Sequence, residues 1–376
     1  MKKDSIVSKG LRFLITFISF GAFGFFAGKA AVGASSQMSG SAITTILLLF
    51  IPIFFIVIAV HEAGHAIAGV WMDFDFKTYV VGPLMWEKEK QKWRFRWNRN
   101  VNTAGGLVIC IPMGTQDLKK RFSVYAAGGP LASLLLALIA FGMFYAISPS
   151  TIFLEVASGS LCIMAFLSIV IFIATALPMR AGGFSSDGAR VLRLMQGGDI
   201  SRFELLILLL ITNASAGVRP REINTDELRE ASVLAKKLQA PFGVYLHSFS
   251  HQAEFDKGNM DEAEKHLLEY ISNVESIPKG IRNIVWLDAA FFYAYAKRNI
   301  DEAEKYWTKF QPAALIPKAQ IFATEAAIAV LKNDNPTALT KISEAEKEIP
   351  NMIDNGLGLA LKDKLSILRD LATGRN

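Results

Sequence analysis

An otherwise apolar stretch from residue 42 to residue 71 contains His61-Glu62-Ala63-Gly64-His65, three ionisable side chains where such groups are normally expelled. A segment this long and apolar can cross a bilayer, where backbone groups must be satisfied within the segment, so the run is predicted to be a membrane helix. On a helix, residues four apart share a face. His61 and His65 can therefore hold one zinc ion through neutral ring nitrogens, with Glu62 beside it to accept a proton from water. Insertion scales put an Asp, Lys or Arg at mid-membrane at roughly 2.5 to 3.5 kcal/mol, and such residues are usually functional. Hydrolysis within a membrane is the leading reading of this segment.

Three further segments are long enough to span, at about 11–34, 126–147 and 156–177, since a hydrocarbon core needs roughly 20 helical residues. Lys2, Lys3, Lys9 and Arg12 precede the first. Lys88, Lys90, Lys92, Arg94, Arg96, Arg99, Lys119, Lys120 and Arg121 lie between the second and third, and Arg180, Arg190 and Arg193 follow the fourth. Positive-inside asymmetry places all three clusters in the cytoplasm and the HEAGH end of its helix near the cytoplasmic face. The first segment also reads as a signal peptide, with a basic start, an apolar middle and the ending Val32-Gly33-Ala34.

A catalytic zinc takes three protein ligands and leaves one position open, so a third ligand must come from another segment. Asp73 and Asp75 are near in sequence, Glu155 falls on the opposite side of the membrane, and Asp187 returns to the side where the HEAGH helix ends. Asp187 is the best candidate. Its alternative role is that of a helix N-cap ahead of Gly188, Ala189 and Arg190.

These residues resemble the site-2 proteases, zinc metalloproteases that cut proteins within or beside the membrane. His61-Glu62-Ala63-Gly64-His65 looks like the family's first motif, Gly129-Pro130-Leu131-Ala132-Ser133 like its Gly-Pro motif, and Leu177-Pro178 with Asp187-Gly188 like its closing motif. The resemblance implies that His61, His65 and Asp187 hold zinc and that Glu62 is the general base. It further implies substrate contacts at Gly129, Pro130 and Ser133. The stretch from Tyr79 to Leu84, including Gly82 and Pro83, resembles the β-hairpin after the metal helix, where an edge strand could pair with an unwound substrate. Three departures stand out: Ser133 stands where the family usually has Asn, Thr175 is the nearest residue to a second usual Asn shortly before the closing Pro, and the gap from Pro178 to Asp187 is long.

The remaining half is polar and helical. Gly258-Asn259-Met260-Asp261-Glu262-Ala263-Glu264-Lys265 returns forty residues later as Arg298-Asn299-Ile300-Asp301-Glu302-Ala303-Glu304-Lys305, and a weaker third copy passes through Asn333, Asp334 and Ala338. Such hairpins resemble tetratricopeptide-type repeats, whose curved surface takes protein segments. His247 and His251 are also four apart but lack a clear acidic third ligand, and are expected to be surface or packing residues. The net charge of +6 gathers beside apolar segments rather than on a nucleic-acid face, and two cysteines, Cys110 and Cys162, build neither a disulfide framework nor a metal cluster.

The expected fold is mainly α: a polytopic membrane helix bundle with a small β-hairpin insertion, followed by a cytoplasmic α-helical repeat domain. Its parts are an N-terminal transmembrane helix (1–40), an intramembrane metalloprotease core (41–215, β insertion at 73–122) and a tetratricopeptide-like domain (216–376). The expected function is a zinc-dependent intramembrane endopeptidase of a bacterial plasma membrane, acting on membrane-protein or peptide substrates, with a protein partner on its repeats, the bilayer around it and no nucleic acid. The alternative is a catalytically degenerate membrane scaffold or chaperone acting through the repeats.

Overall fold

The structure is a computed structural model and describes residues 38–89, 92–98, 105–181, 184–240, 243–277, 282–312 and 316–374. The segment at 11–34, and with it the choice between an anchor and a signal peptide, lies outside the described residues. Three described helices are long and apolar enough to cross a membrane: α1 (Gly40–Trp71), α2 (Leu118–Ala146) and α3 (Ile152–Ala176). Many of their large apolar side chains point outward, including Leu47, Leu48, Leu131, Leu138 and Phe153, as expected where the surroundings are lipid. At one end Glu155 ties α3 to the start of α1, accepting from the backbone N–H and the hydroxyl of Ser39 at 2.9 and 2.6 Å.

The helix expected at 126–147 begins earlier, at Leu118, because Lys119, Lys120 and Arg121 form its first turn rather than a loop. Straight-chain basic residues favour a helix, and they carry it beyond its apolar part. Arg121 also serves as a bolt. Its guanidinium donates to the carbonyls of Met72, Asp73 and Met113 at 2.7, 2.8 and 2.9 Å, joining the end of α1 to the end of the last sheet strand.

Between α1 and α2 lies a four-stranded antiparallel sheet rather than a lone hairpin: β1 (Phe74–Val81), β2 (Leu84–Glu89), β3 (Lys92–Trp97) and β4 (Leu107–Pro112), in the order β3-β2-β1-β4. This corrects the expected edge strand. Residues 79–84 straddle β1 and β2, each of which has a neighbour on both sides, so the edges are β3 and β4. Gly82, at φ +55°, makes the tight turn with Pro83 that joins the two inner strands, and it lies against the ring of Phe55 on α1.

After α3, a two-stranded hairpin pairs Arg180–Ala181 (β5) with Phe184–Ser185 (β6), and α4 (Asp187–Gln196) follows. The apolar run near 205–211 belongs to α5 (Gly198–Ala216), which is not among the membrane-spanning candidates. Its buried side chains Phe203, Leu206 and Leu210 pack with Leu228, Ala231 and Leu234 of α6 (Thr225–Leu238). Three helical hairpins then follow: α7 (Gly243–Lys257) with α8 (Met260–Ser272), α9 (Asn283–Tyr295) with α10 (Ile300–Trp307), and α11 (Lys318–Leu331) with α12 (Asn335–Glu348), before α13 (Asn355–Thr373).

The repeated motif explains the three turns. Gly258, Arg298 and Asn333 each adopt a left-handed conformation between the helices of a hairpin. Five residues on, Ala263, Ala303 and Ala338 are completely buried where the hairpins meet. The third copy, faint in sequence, therefore occupies the same place in its hairpin as the other two.

Candidate metal centre

The centre begins with a close helix crossing. A Cβ at Gly64 would overlap the Gly128 carbonyl, and one at Gly128 would overlap the Gly64 carbonyl, so these glycines set the approach of α1 and α2. Gly64 is inside the HEAGH run itself. With the helices this close, α2 supplies a partner to each imidazole on α1. His61 Nδ1 lies 2.9 Å from Ser133 Oγ, and His65 Nδ1 lies 2.9 Å from the carbonyl of Tyr125. A carbonyl can only accept, so the His65 proton is on Nδ1 and its Nε2 carries a lone pair. The Gly129 N–H, 3.3 Å from the same Nδ1, is then a close neighbour rather than a second hydrogen bond.

Asp187 arrives from the other side as the first residue of α4. It is not the N-cap. That role belongs to Ser186, whose hydroxyl accepts from the Ala189 N–H at 3.2 Å, and the Asp187 carboxylate is left to face the histidines. Ser186 also donates to the Leu177 carbonyl at 2.6 Å and accepts from the Met179 N–H at 3.0 Å. The long gap after Pro178 is thereby closed at its base, with the extra residues looped into the β5–β6 hairpin. Gly188 completes the placement, because a Cβ there would overlap the Ala176 carbonyl at the end of α3.

Asp187 Oδ2 lies 3.7 Å from His61 Nε2 and 3.3 Å from His65 Nε2, and the ligand atoms of all three residues fall within 4.8 Å of one another. Burial pushes the Asp187 carboxyl up, but its close approach to the imidazoles of His61 and His65 outweighs it and holds the group well below the usual carboxylate range. An anionic oxygen facing imidazole nitrogens whose other nitrogens are already held is a donor set that a divalent cation satisfies. Outer partners fixing Nδ1 are also what metal-binding histidines require. The residues thus fit a zinc-type ion.

Glu62 is buried between the two histidines in sequence, and its carboxylate lies against Gly106, just before β4. A Cβ at Gly106 would overlap Glu62 Oε1, and the residue's φ of +107° also calls for glycine. Beside it, Ala63, Ala66 and Ile67 of α1 and the rings of Phe76, Tyr79, Trp86 and Trp93 on the sheet enclose an open apolar trough of about 300 Å³. The Tyr79 hydroxyl donates to the Ala59 carbonyl at 2.6 Å, fixing the sheet to α1 one turn before the site.

The structure distributes the other expected site residues differently. Gly129 lies against the His65 ring, where a Cβ would overlap Nε2. Pro130 is buried within α2, and Ser133 is fully buried with its hydroxyl engaged by His61 rather than open to a substrate. Gly82 and Pro83 occupy the β1–β2 turn against Phe55. Thr175 donates to the Ile171 carbonyl of its own helix at 2.8 Å. Asp75 is paired with Lys77 and Lys88, at 2.6 and 2.9 Å, and Glu155 is held by Ser39, so neither joins the centre. Tyr125, Gly106 and Ser186 were missed. Their contributions come from a backbone carbonyl, an absent side chain and a cap, none of which carries a residue-type signal for metal chemistry.

Residues 49–177 match the sequence model of peptidase family M50, the site-2 protease family. The match takes in His61, Glu62, His65, Gly129 and Ser133 and ends before Asp187. It supports peptidase activity and, with three apolar helices among the described residues, a membrane protein. No curated protein and no solved structure matches the chain.

Proposed function

We propose, from the premise that residues 49–177 carry the sequence of peptidase family M50, that this chain is a zinc-dependent endopeptidase cutting membrane-embedded or membrane-adjacent substrates. The observation that carries the reading is the convergence of His61, His65 and Asp187, with the far nitrogen of each imidazole held by α2. When bound there, zinc supplies Lewis acidity and positive charge beside the negative charge that develops in peptide hydrolysis. His61 and His65 present neutral nitrogens, and Asp187 contributes the anionic oxygen. Glu62 accepts a proton from the attacking water and delivers it to the leaving amine as the peptide bond breaks. The buried setting of Glu62 against Gly106 keeps that carboxylate in one place.

The trough between α1 and the aromatic face of the sheet suits an apolar segment that has left its helix. A membrane helix satisfies its own backbone hydrogen bonds, so a substrate must unwind before its carbonyl can be attacked. The basic clusters around the sheet and after α3 favour a cytoplasmic location for this end of α1 and for the helical hairpins, which would recruit a protein partner. The scaffold alternative drew on Ser133 and Thr175. Ser133 supports a ligand instead, which favours a competent centre.

The test compares wild type with Glu62→Gln, both reconstituted and offered a fluorogenic peptide library and model single-span membrane proteins. The variant is expected to lose roughly 10²- to 10⁴-fold in cleavage while keeping its zinc. A Glu62→Gln chain as active as wild type would overturn the mechanism, as would a folded wild type that takes up no zinc at His61 and His65.

A further inference from the structure

The chain has five histidines. His61 and His65 belong to the centre already described, and His251 is a packing residue, buried among Phe255 and Phe292 with its Nδ1 2.8 Å from the Ala263 carbonyl. The remaining two, His247 and His266, come together with Glu269 across the α7–α8 hairpin. The ligand atoms of these three residues also lie within 4.8 Å of one another, and they offer two imidazoles and a carboxylate, as His61, His65 and Asp187 do. His251 is a packing residue as expected, and the side chains that face His247 lie on the next helix instead. There His266 and Glu269 share a face at a spacing of three.

We infer that His247, His266 and Glu269 form a second metal site, for a borderline divalent ion such as zinc. His247 Nδ1 is 2.9 Å from Glu269 Oε2, and the two imidazole rings face each other at 6.3 Å with a tilt of 36°. The close contact of His247 with Glu269 accounts for those two but leaves His266 unexplained: its Nδ1 is buried and has no hydrogen-bond partner among the described residues. A buried polar nitrogen without a partner is costly, and a metal ion accepting the lone pair of this nitrogen would satisfy it.

The surroundings permit exchange with solvent. Glu269 is about half exposed, at 51%, and His247 a quarter, at 25%. Two imidazoles and one carboxylate select zinc, cobalt, nickel or copper over magnesium or calcium, which prefer oxygen-only shells. Three protein ligands leave a fourth position for water or for a side chain of a bound partner. An ion there ties α7 to α8 and stabilises the first hairpin, because it binds only when both helices are in place.

This inference is independent of the proposed peptidase. The experiment strips the full-length, detergent-purified chain with chelator, reloads it with Zn²⁺, removes free metal by gel filtration and counts zinc per chain by mass spectrometry. Two ions are expected in wild type. His266→Ala and Glu269→Gln should each retain one, and His65→Ala should retain one that a further His266→Ala removes. Glu269 is half exposed, so Glu269→Gln leaves the fold intact and guards against a misfolded His266→Ala. A single ion unaffected by His266→Ala and Glu269→Gln would overturn the second site. A single ion lost with His266→Ala but kept in His65→Ala would uphold it and count against the membrane centre instead.

Discussion

At the residue scale, the reading of the centre depends on what stands behind each ligand. Ser133 fixes His61 through Nδ1, so Ser133→Ala should weaken zinc binding by roughly 10- to 100-fold, the usual effect of removing an outer partner of a metal ligand. Ser133→Thr, which keeps the hydroxyl, should recover part of it. Zinc retention against a competing chelator measures both, and equal retention in Ser133→Ala and wild type would remove Ser133 from the centre. The meeting of His61, His65 and Asp187 was legible because their chemistry is specific to residue type and the spacing of the two histidines to a helix face. Ser133 was legible as important but not in its role. One sequence places it on a face of α2, yet does not say that His61 occupies that face. Tyr125 was invisible for a different reason: it acts through a carbonyl that every residue has.

At the element scale, the site is assembled by close approach. Gly64 on α1 and Gly128 on α2 leave no room for a Cβ, so Gly64→Ala must shift one backbone against the other. Overpacking of this kind costs about 1 to 3 kcal/mol. It also carries Ser133 and Tyr125 away from the imidazoles, so zinc should be lost together with thermal stability in detergent. Arg121→Met offers a contrast. It removes the donor to three carbonyls between α1 and β4 without touching a ligand, and should lower the unfolding temperature while leaving zinc stoichiometry unchanged. Lost zinc in Arg121→Met would mean that the α1 terminus positions the centre directly. Apolar length made the three helices readable, but not the start of α2, where basic residues continue the helix as readily as they would a loop. Strand order was hidden as well. β3 alternates basic and aromatic residues and reads equally well as an inner or an edge strand, and only its pairing with β2 alone settles its place.

At the scale of the whole molecule, the helical hairpins have their own chemistry. Their repeat was legible from the Asn-x-Asp-Glu-Ala copies because a left-handed turn residue and a buried alanine recur at fixed positions. What the copies share is the turn, whereas the side chains facing inward from α7, α9, α11 and α13 differ from hairpin to hairpin. Those side chains, among them His251, Asp288, Gln320, Thr324 and Lys364, line a cavity of about 30 Å³. Lys364 is paired with Asp256, at 3.7 Å, and Asp288 has an oxygen, Oδ2, that is buried without a hydrogen-bond partner among the described residues. Burial pushes the Asp288 carboxyl up to about 7. The sign of the consequence follows from linkage. Below about pH 4 the group is neutral in both folded and unfolded chains and costs nothing. As pH rises towards 7 the unfolded chain releases the proton first, so stability falls through that window and levels off above it. The full effect is roughly 4 kcal/mol, taking about 1.4 kcal/mol per pH unit. Asp288→Asn removes the titration, so the variant should unfold several degrees above wild type at pH 8, and the gap should close as pH falls towards 4. Thermal unfolding of the full-length chain across that range tests it, and a gap that stays constant with pH would mean that the Asp288 carboxyl is ionised in the folded hairpins throughout.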